Sequence, residues 1–398
     1  MSFFQPELFR NKSKSKKVII ILDRMLGARQ DLEIVQKDSN KLPQLKFMRR
    51  KLIKLVFFHF MNKKKLFFNY AKLSHTNRFN YYDLAKNRRM EIEKFWTEVI
   101  YHLKKLFKHN QLNFLTFAYF YSTEYPLYAG CNNNDIPVKL WNKECFGSEP
   151  DLLYRSKSKQ FKKACEYFHK ISVYNEPMKK MFVNMNTSNK KKVEVIGYPK
   201  VVEFLNKSKK KKKRIDNILF LSFDTRLGFP SSKKFEHLNF NLTYDKIIKV
   251  LNKISNNKQF KICIKRKNKN PLLYKSHIKI DKKIKVIEVG NATKYINEAD
   301  IVIGLNSSST LEALINGKYV FTPFFEKNIS LKKYLYKFNK EIIINNEKKL
   351  EKKILRLHKK TALFPLANKD SQKTIRYYFG DFNNEKKIKL NCSKFLNS

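Results

Sequence analysis

From residue 217 to residue 344 the chain alternates short apolar runs with segments of helical periodicity, and this alternation constrains its fold more than any other feature. Strands are predicted at 217–222, 260–265, 284–289, 300–304, 319–322 and 341–344, with helices such as Tyr244–Ile254 and Ser309–Asn316 between them. Helices in the gaps supply the long crossovers that parallel neighbours need, and helices on both faces leave no solvent-facing side of the sheet. The expected product is α/β, a doubly wound parallel sheet. Two more helices are predicted at 347–360 and 368–379.

The first half repeats the theme less regularly. A strand is predicted at Lys17–Leu22, running into Asp23-Arg24, with others at 112–121, 136–140, 171–174 and 193–199. Residues 44–110 carry Leu52, Leu55, Val56, Ile92, Phe95, Trp96, Val99, Leu103 and Leu106 at helical spacing among many Lys and Arg, which predicts amphipathic helices. Lys207–Arg214 is basic at every position but Ser208 and has nothing to bury, as expected of a solvated linker. The chain is therefore read as a basic tail 1–16, an α/β domain 17–206, a linker 207–214 and a second α/β domain 215–398. Two doubly wound halves place a ligand in a cleft between them, beyond the carboxyl ends of the strands.

Lys and Arg number 85 against 34 Asp and Glu, a formal net charge of +51. Such a surface concentrates polyanions. Nucleic acid is a poor fit as partner, because no ribonucleoprotein motif, KH GxxG loop or helix-turn-helix pattern is present. An anionic membrane face fits better, since each Lys close to it contributes up to about 1 kcal/mol. Abundant Lys, Asn, Ile and Phe also follow from a genome rich in A and T, so the charge constrains location more than chemistry. The longest apolar clusters, such as Leu55–Met61, are far too short to span a bilayer, and Val18–Leu22 is too short for a signal peptide. Cys131, Cys145, Cys165, Cys263 and Cys392 form no CxxC, and none of the eight His has metal-ligand spacing. The expectation is a cytoplasmic protein, soluble or peripheral at the inner membrane face, with no metal and no bound cofactor.

Only nine glycines are present, and none form GxGxxG or GxxxxGK[ST]. A phosphate must then be held without a glycine-rich cradle. Residues 299–317, ADIVIGLNSSSTLEALING, offer another way: an apolar strand ends at Gly304, and Ser307, Ser308, Ser309 and Thr310 open a helix carrying Glu312. A helix start presents unpaired amides and about half a positive charge to an anion. Glu312 could accept from ribose hydroxyls or close a capping box with Ser309; a merely well-capped helix has the same spacing.

These residues resemble the carboxyl-terminal half of GT-B glycosyltransferases that build capsule, lipopolysaccharide and other surface polysaccharides. The pattern is met in order by Asp300, Gly304, Asn306, Ser307, Ser308, Ser309, Thr310, Glu312, Ala313, Gly317 and Pro323. Upstream, IPVKLWNKECF at 136–146 is similar to the family's strand leading to a Lys-Glu pair, here Lys143-Glu144. VYNEPMKKMF at 173–182 and VIGYPK at 195–200, with Gly197 and Pro199, are similar to its interdomain elements. The likeness covers roughly residues 112–325, while Arg29-Gln30-Asp31 matches the family's amino-terminal turn only in part and 40–110 matches nothing.

The resemblance implies two Rossmann-like domains, the first taking the acceptor and the second the nucleotide-activated sugar. Its phosphates would lie at Asn306–Thr310, with Glu312 nearby. Lys265 and Arg266, after the strand 260–264, are the candidate cationic clamp, and Arg226 is a weaker one. The general base would be Glu144 or, second, Asp23; Lys143 beside Glu144 could instead hold it in a structural ion pair. The acceptor implied is a glycan or lipid-linked glycan. A transferase of glycerol phosphate or another polyol phosphate from a CDP-activated donor is the nearest alternative, although His102 and His109 lack a convincing setting for its base. The other alternative is a non-catalytic basic protein bound to membrane or nucleic acid.

Overall fold

The computed structural model describes residues 16–23, 26–36, 42–49, 89–117, 124–142, 149–185, 190–201, 215–223, 225–230, 235–257, 259–266, 277–288, 290–305, 307–326, 340–358, 369–380 and 384–398. They form two compact units: Met1–Glu144, Arg155–Pro199 and Asn384–Ser398 in the first, Cys145–Tyr154 and Lys200–Asn383 in the second. Lys207–Arg214, read as a linker, lies outside the described residues.

The first unit is built on a six-stranded sheet of β1 (Lys17–Asp23), β2 (Gln44–Arg49), β3 (Gln111–Thr116), β4 (Val138–Trp141), β5 (Lys170–Val173) and β6 (Val193–Val195), in the order β2-β1-β3-β4-β5-β6. Every pairing is parallel. Val18 to Leu22 are all buried, as a strand covered on both faces requires. Residues 44–49 were expected to be helical and form a strand instead. Leu45, Phe47 and Met48 are buried, and the parallel register with β1 places Leu45 beside Ile19 and Phe47 beside Ile21. Leu52, Leu55 and Val56 lie outside the described residues.

Helices α1 (Leu26–Gln36), α2 (Arg89–Leu106), α3 (Tyr125–Asn132), α4 (Glu149–Lys157), α5 (Lys159–Glu166) and α6 (Glu176–Met185) follow in chain order. The predicted stripe on α2 holds in part: Ile92, Trp96 and Leu103 are buried, joined by Ile100, whereas Phe95 and Val99 are only half-buried and Leu106, at the helix end, is exposed. Gly130 lets α3 approach it, since a Cβ there would lie 2.8 Å from the Trp96 carbonyl carbon.

The second unit repeats the architecture with β7 (Asn217–Leu221), β10 (Lys261–Lys265), β11 (Lys285–Ile287), β12 (Ile301–Gly304), β13 (Tyr319–Pro323) and β14 (Ile343–Ile344), in the order β11-β10-β7-β12-β13-β14 and parallel throughout. Its helices are α7 (Asn241–Ser255), α8 (Ala292–Glu298), α9 (Ser308–Ile315), α10 (Glu347–His358) and α11 (Lys369–Phe379). An antiparallel hairpin, β8 (Arg226–Pro230) with β9 (Phe235–Asn239), was not anticipated. Tyr244, Ile247, Ile248, Leu251 and Ile254 of α7 pack into one core with Phe220, Ile264 and Ile303 of the sheet.

A last helix, α12 (Glu385–Asn397), also unanticipated, belongs to the first unit, although the sequence reading carried the second domain to residue 398. Lysines explain its seat. Lys139, 2% exposed in the middle of the sheet, donates to the carbonyls of Phe395 (3.1 Å) and Leu396 (3.3 Å) and to the Ser398 hydroxyl (3.4 Å). Lys17 donates to the carbonyls of Asn397 and Ser398. These are the orphan acceptors of a helix end, which the lysine N–H groups satisfy.

Candidate active site

In the second unit β7 lies between β10 and β12: the chain runs from β7 to β10 and β11 on one side, then crosses to β12 on the other. This is a topological switch point, where ligands of open α/β sheets bind beyond the strand ends. Register fixes what meets there. Leu221 lies opposite Lys265 on one side and Gly304 on the other, so Lys265 and Gly304 are two strand spacings, roughly 10 Å, apart at the carboxyl edge.

The motif 299–317 sits on this edge, and much of it serves to build the turn. Asp300 accepts from the Asp216 and Asn217 amides at 3.2 and 3.0 Å, tying β12 to β7 at the opposite edge. Ser307 is the extended N-cap of α9, its Oγ accepting from the Thr310 amide at 3.4 Å. Thr310 returns its hydroxyl to the Ser307 carbonyl at 2.7 Å and is completely buried. Gly304 makes room for it, because a Cβ there would lie 2.3 Å from the Thr310 Cγ2. Gly317, with φ of 71°, closes the helix in the left-handed conformation that favours glycine.

Ser308, exposed, and Ser309, half-buried, are therefore the hydroxyls turned to other use, on the amides that an α-helix leaves without an internal acceptor. Glu312 is 7% exposed and five positions beyond the cap. A capping box with Ser309 is excluded: the cap is Ser307, and the reciprocal position is Thr310. Asn306 lies outside the described residues.

Lys265 and Arg266 reach the edge already engaged. The Lys265 ammonium donates to the carbonyls of Arg266 (2.7 Å) and Glu288 (3.4 Å), and burial pushes its pKa below the ordinary lysine value. The Arg266 guanidinium pairs with Glu288 at 2.7 Å, the pair being partly solvent-exposed. Together they tie the end of β10 to the segment after β11. Arg226 opens β8, the strand of the unanticipated hairpin.

In the first unit, Asp23 ends β1 at the carboxyl edge, opposite Arg49. Lys143 and Glu144 lie outside the described residues. Gly197, with φ of 80°, passes under α12, where a Cβ would lie 2.9 Å from Ile388 Cγ1; Pro199 is buried two residues on. Two buried carboxylates on this edge escaped the sequence reading. Glu124, 2% exposed, accepts from the Tyr128 hydroxyl at 2.7 Å, which in turn lies 2.9 Å from the Thr116 hydroxyl at the end of β3. Asp31 accepts from Tyr174 at 2.6 Å, and Trp141 donates to the same hydroxyl at 3.1 Å. A signal for Glu124 existed, since it is the only charged residue from Gln111 to Asn134. Among the described residues no group of three or more His, Cys, Asp or Glu is placed to hold a metal ion.

No family model matches the sequence, and no curated protein matches it. Solved structures do. The UDP-GlcNAc 2-epimerase from Neisseria meningitidis bound to UDP-GlcNAc is similar with a TM-score of 0.53 at 13% identity, over 96% of this chain and 100% of that one. The chain has the GT-B fold. The wall teichoic acid polymerase TagF soaked with CDPG matches at 0.53 and 11% identity, over 98% and 89% of the two chains. A trehalose-6-phosphate protein from E. coli bound with UDP-2-fluoro glucose matches at 0.52 and 8%, over 96% and 99%. At these identities the likeness is one of GT-B architecture, two Rossmann-like units each with a parallel sheet.

Proposed function

We propose that this GT-B chain is a glycosyltransferase that moves a sugar from a nucleotide-activated donor to a surface polysaccharide or lipid-linked glycan at an anionic membrane face. The observation that carries the reading is the start of α9 at the switch point, where Gly304 and Thr310 lock the turn and leave Ser308 and Ser309 on open helical amides. Loss of the nucleotide puts negative charge on a phosphate, and preorganised amides stabilise that charge without reorganising during the reaction. Metal independence is part of the proposal, as the helix start and the neighbouring cations supply the positive potential. Lys265 and Arg266 are the cations within reach of the same edge. Glu144, then Asp23, are the candidate bases for the acceptor hydroxyl, and Glu312 is the candidate ribose contact.

The similar structures support a nucleotide-bound donor, because they hold or were soaked with UDP-GlcNAc, UDP-2-fluoro glucose and CDPG. The TagF likeness favours one second reading, transfer of a polyol phosphate from a CDP-linked donor. Calorimetry with UDP, GDP, CMP and CDP compounds separates the two by base and donor. A Ser308→Ala/Ser309→Ala variant is expected to weaken the preferred nucleotide about tenfold, two neutral hydrogen bonds at about 1 kcal/mol each being the limit. Binding unchanged in that variant would remove α9 from the site, and no binding to any of the panel would leave only the non-catalytic reading.

A further inference from the structure

The end of α2 in the first unit carries the most exposed leucine of the described residues. Leu106, the last residue of the helix, is 76% exposed, and Tyr101, five residues earlier, is 46% exposed. Around Leu106, Lys104, Lys105, Lys108 and His109 are all exposed, and His102 lies beside Tyr101 on the same helix. Lys105 rests its ammonium 4.4 Å from the centre of the Tyr101 ring. Lys16, exposed at the start of β1, is brought to the same place, since its carbonyl accepts from the Gln111 amide and the Asn110 side chain, both at 3.0 Å. Acids near this end are Glu98, exposed on α2 one turn before Tyr101 and His102, and Asp135, 4.0 Å from Lys104, whose ammonium also donates to the Asn134 carbonyl at 2.7 Å.

From this juxtaposition we infer that the α2 tip is a membrane-docking surface, in which Leu106 enters an anionic bilayer and Lys16, Lys104, Lys105 and Lys108 face its headgroups. Charge complementarity names the kind of partner, and Leu106 chooses among polyanions. A phosphate backbone gains nothing from an aliphatic side chain held out in water. A bilayer does, because the side chain leaves water for the acyl boundary while the lysines stay at headgroup level. The tip also follows the rule that one weak anchor needs a second signal: an isolated leucine or an isolated lysine cluster gives only marginal binding. The α2 tip supplies both. This deepens the membrane-peripheral part of the proposed function and is independent of its chemistry.

The test is co-sedimentation of the full chain with vesicles of phosphatidylcholine alone or mixed with phosphatidylglycerol, without nucleotide. Leu106→Ser, which leaves every charge in place, is expected to lower partitioning into the anionic vesicles about tenfold or more. Leu242→Ser, at an exposed leucine set among Asn241 and Thr243 in the second unit, is expected to change it less than twofold. Leu106→Trp should show blue-shifted emission with anionic vesicles and not with neutral ones. Equal partitioning of the wild type and Leu106→Ser overturns the inference. So does a Lys105→Glu/Lys108→Glu variant that loses single-stranded RNA binding while its vesicle binding is unchanged. Nucleotide calorimetry on Leu106→Ser keeps the two questions apart, since it should match the wild type.

Discussion

Gly304→Ala tests the link between the strand end and the donor site. The added carbon would lie 2.3 Å from Thr310 Cγ2 and 3.5 Å from Leu221 Cβ. Carbon atoms settle at about 3.5–4.0 Å, so the first contact must open by more than roughly an ångström. Thr310 has little freedom to yield, being fully buried with its hydroxyl fixed on the Ser307 carbonyl. Relief comes from lifting the first turn of α9 off β12. Overpacking of this kind costs about 1–3 kcal/mol of stability, and the lifted turn carries the Ser308 and Ser309 amides with it, lowering nucleotide affinity about tenfold. Thr310→Ser removes the obstructing methyl and keeps the hydroxyl. The double variant should therefore cost at least about 1 kcal/mol less than the sum of the single ones, a coupling that independent sites do not show. Urea unfolding of the four proteins, with nucleotide calorimetry on each, measures both quantities. Additive costs within about 0.5 kcal/mol, or wild-type affinity in Gly304→Ala, would refute the reasoning.

Two other perturbations are informative. Burial, with Lys17 and Lys170 nearby, pulls the Lys139 pKa from 10.5 down to about 7, so between those values the unfolded chain holds a proton that the folded chain has released. Stability then rises with pH across that window, by about 1.4 kcal/mol per unit at most for this one group. Lys139→Met should lose this slope, and denaturation at pH 7 and pH 9 should show the difference between the two proteins changing by up to about 3 kcal/mol; parallel profiles would count against it. Glu288→Gln releases the Arg266 guanidinium from an exposed pair worth no more than about 1 kcal/mol, so stability should barely move. If Arg266 serves the donor phosphates, nucleotide affinity rises in that variant; unchanged affinity assigns the pair to tying β10 to the segment after β11.

The parallel sheets were legible because each strand is an apolar run bounded by polar turns, and Val18–Leu22 and Ile301–Ile303 can be nothing else in a two-sided layer. Gln44–Arg49 was misread since Leu45, Phe47 and Met48 supply both an i+2 and an i+3 apolar spacing over so short a span, and the choice falls to pairing with β1. The hairpin β8–β9 has neither an Asn-Gly nor an Asp-Gly turn to announce it. At the site, the Ser-rich helix start was visible from composition, but its division of labour was not. That Ser307 and Thr310 build the turn while Ser308 and Ser309 remain on open amides depends on which residue caps α9. Lys139 shows the same limit: a lysine in a strand reads as solvent-facing until a helix end from the far terminus arrives over it.

The return of α12 to the first unit has a consequence for how the chain is made. Its sheet is synthesised early, yet the helix that covers Lys139 and packs on Gly197 follows the whole of the second unit. Domains commonly fold in the order in which they leave the ribosome. Here the first to emerge has to wait for the last, its Lys139 unsheltered until then, so the second unit can finish folding before its neighbour does. Termination between codons 345 and 385 would leave a complete second sheet and a first unit permanently without α12.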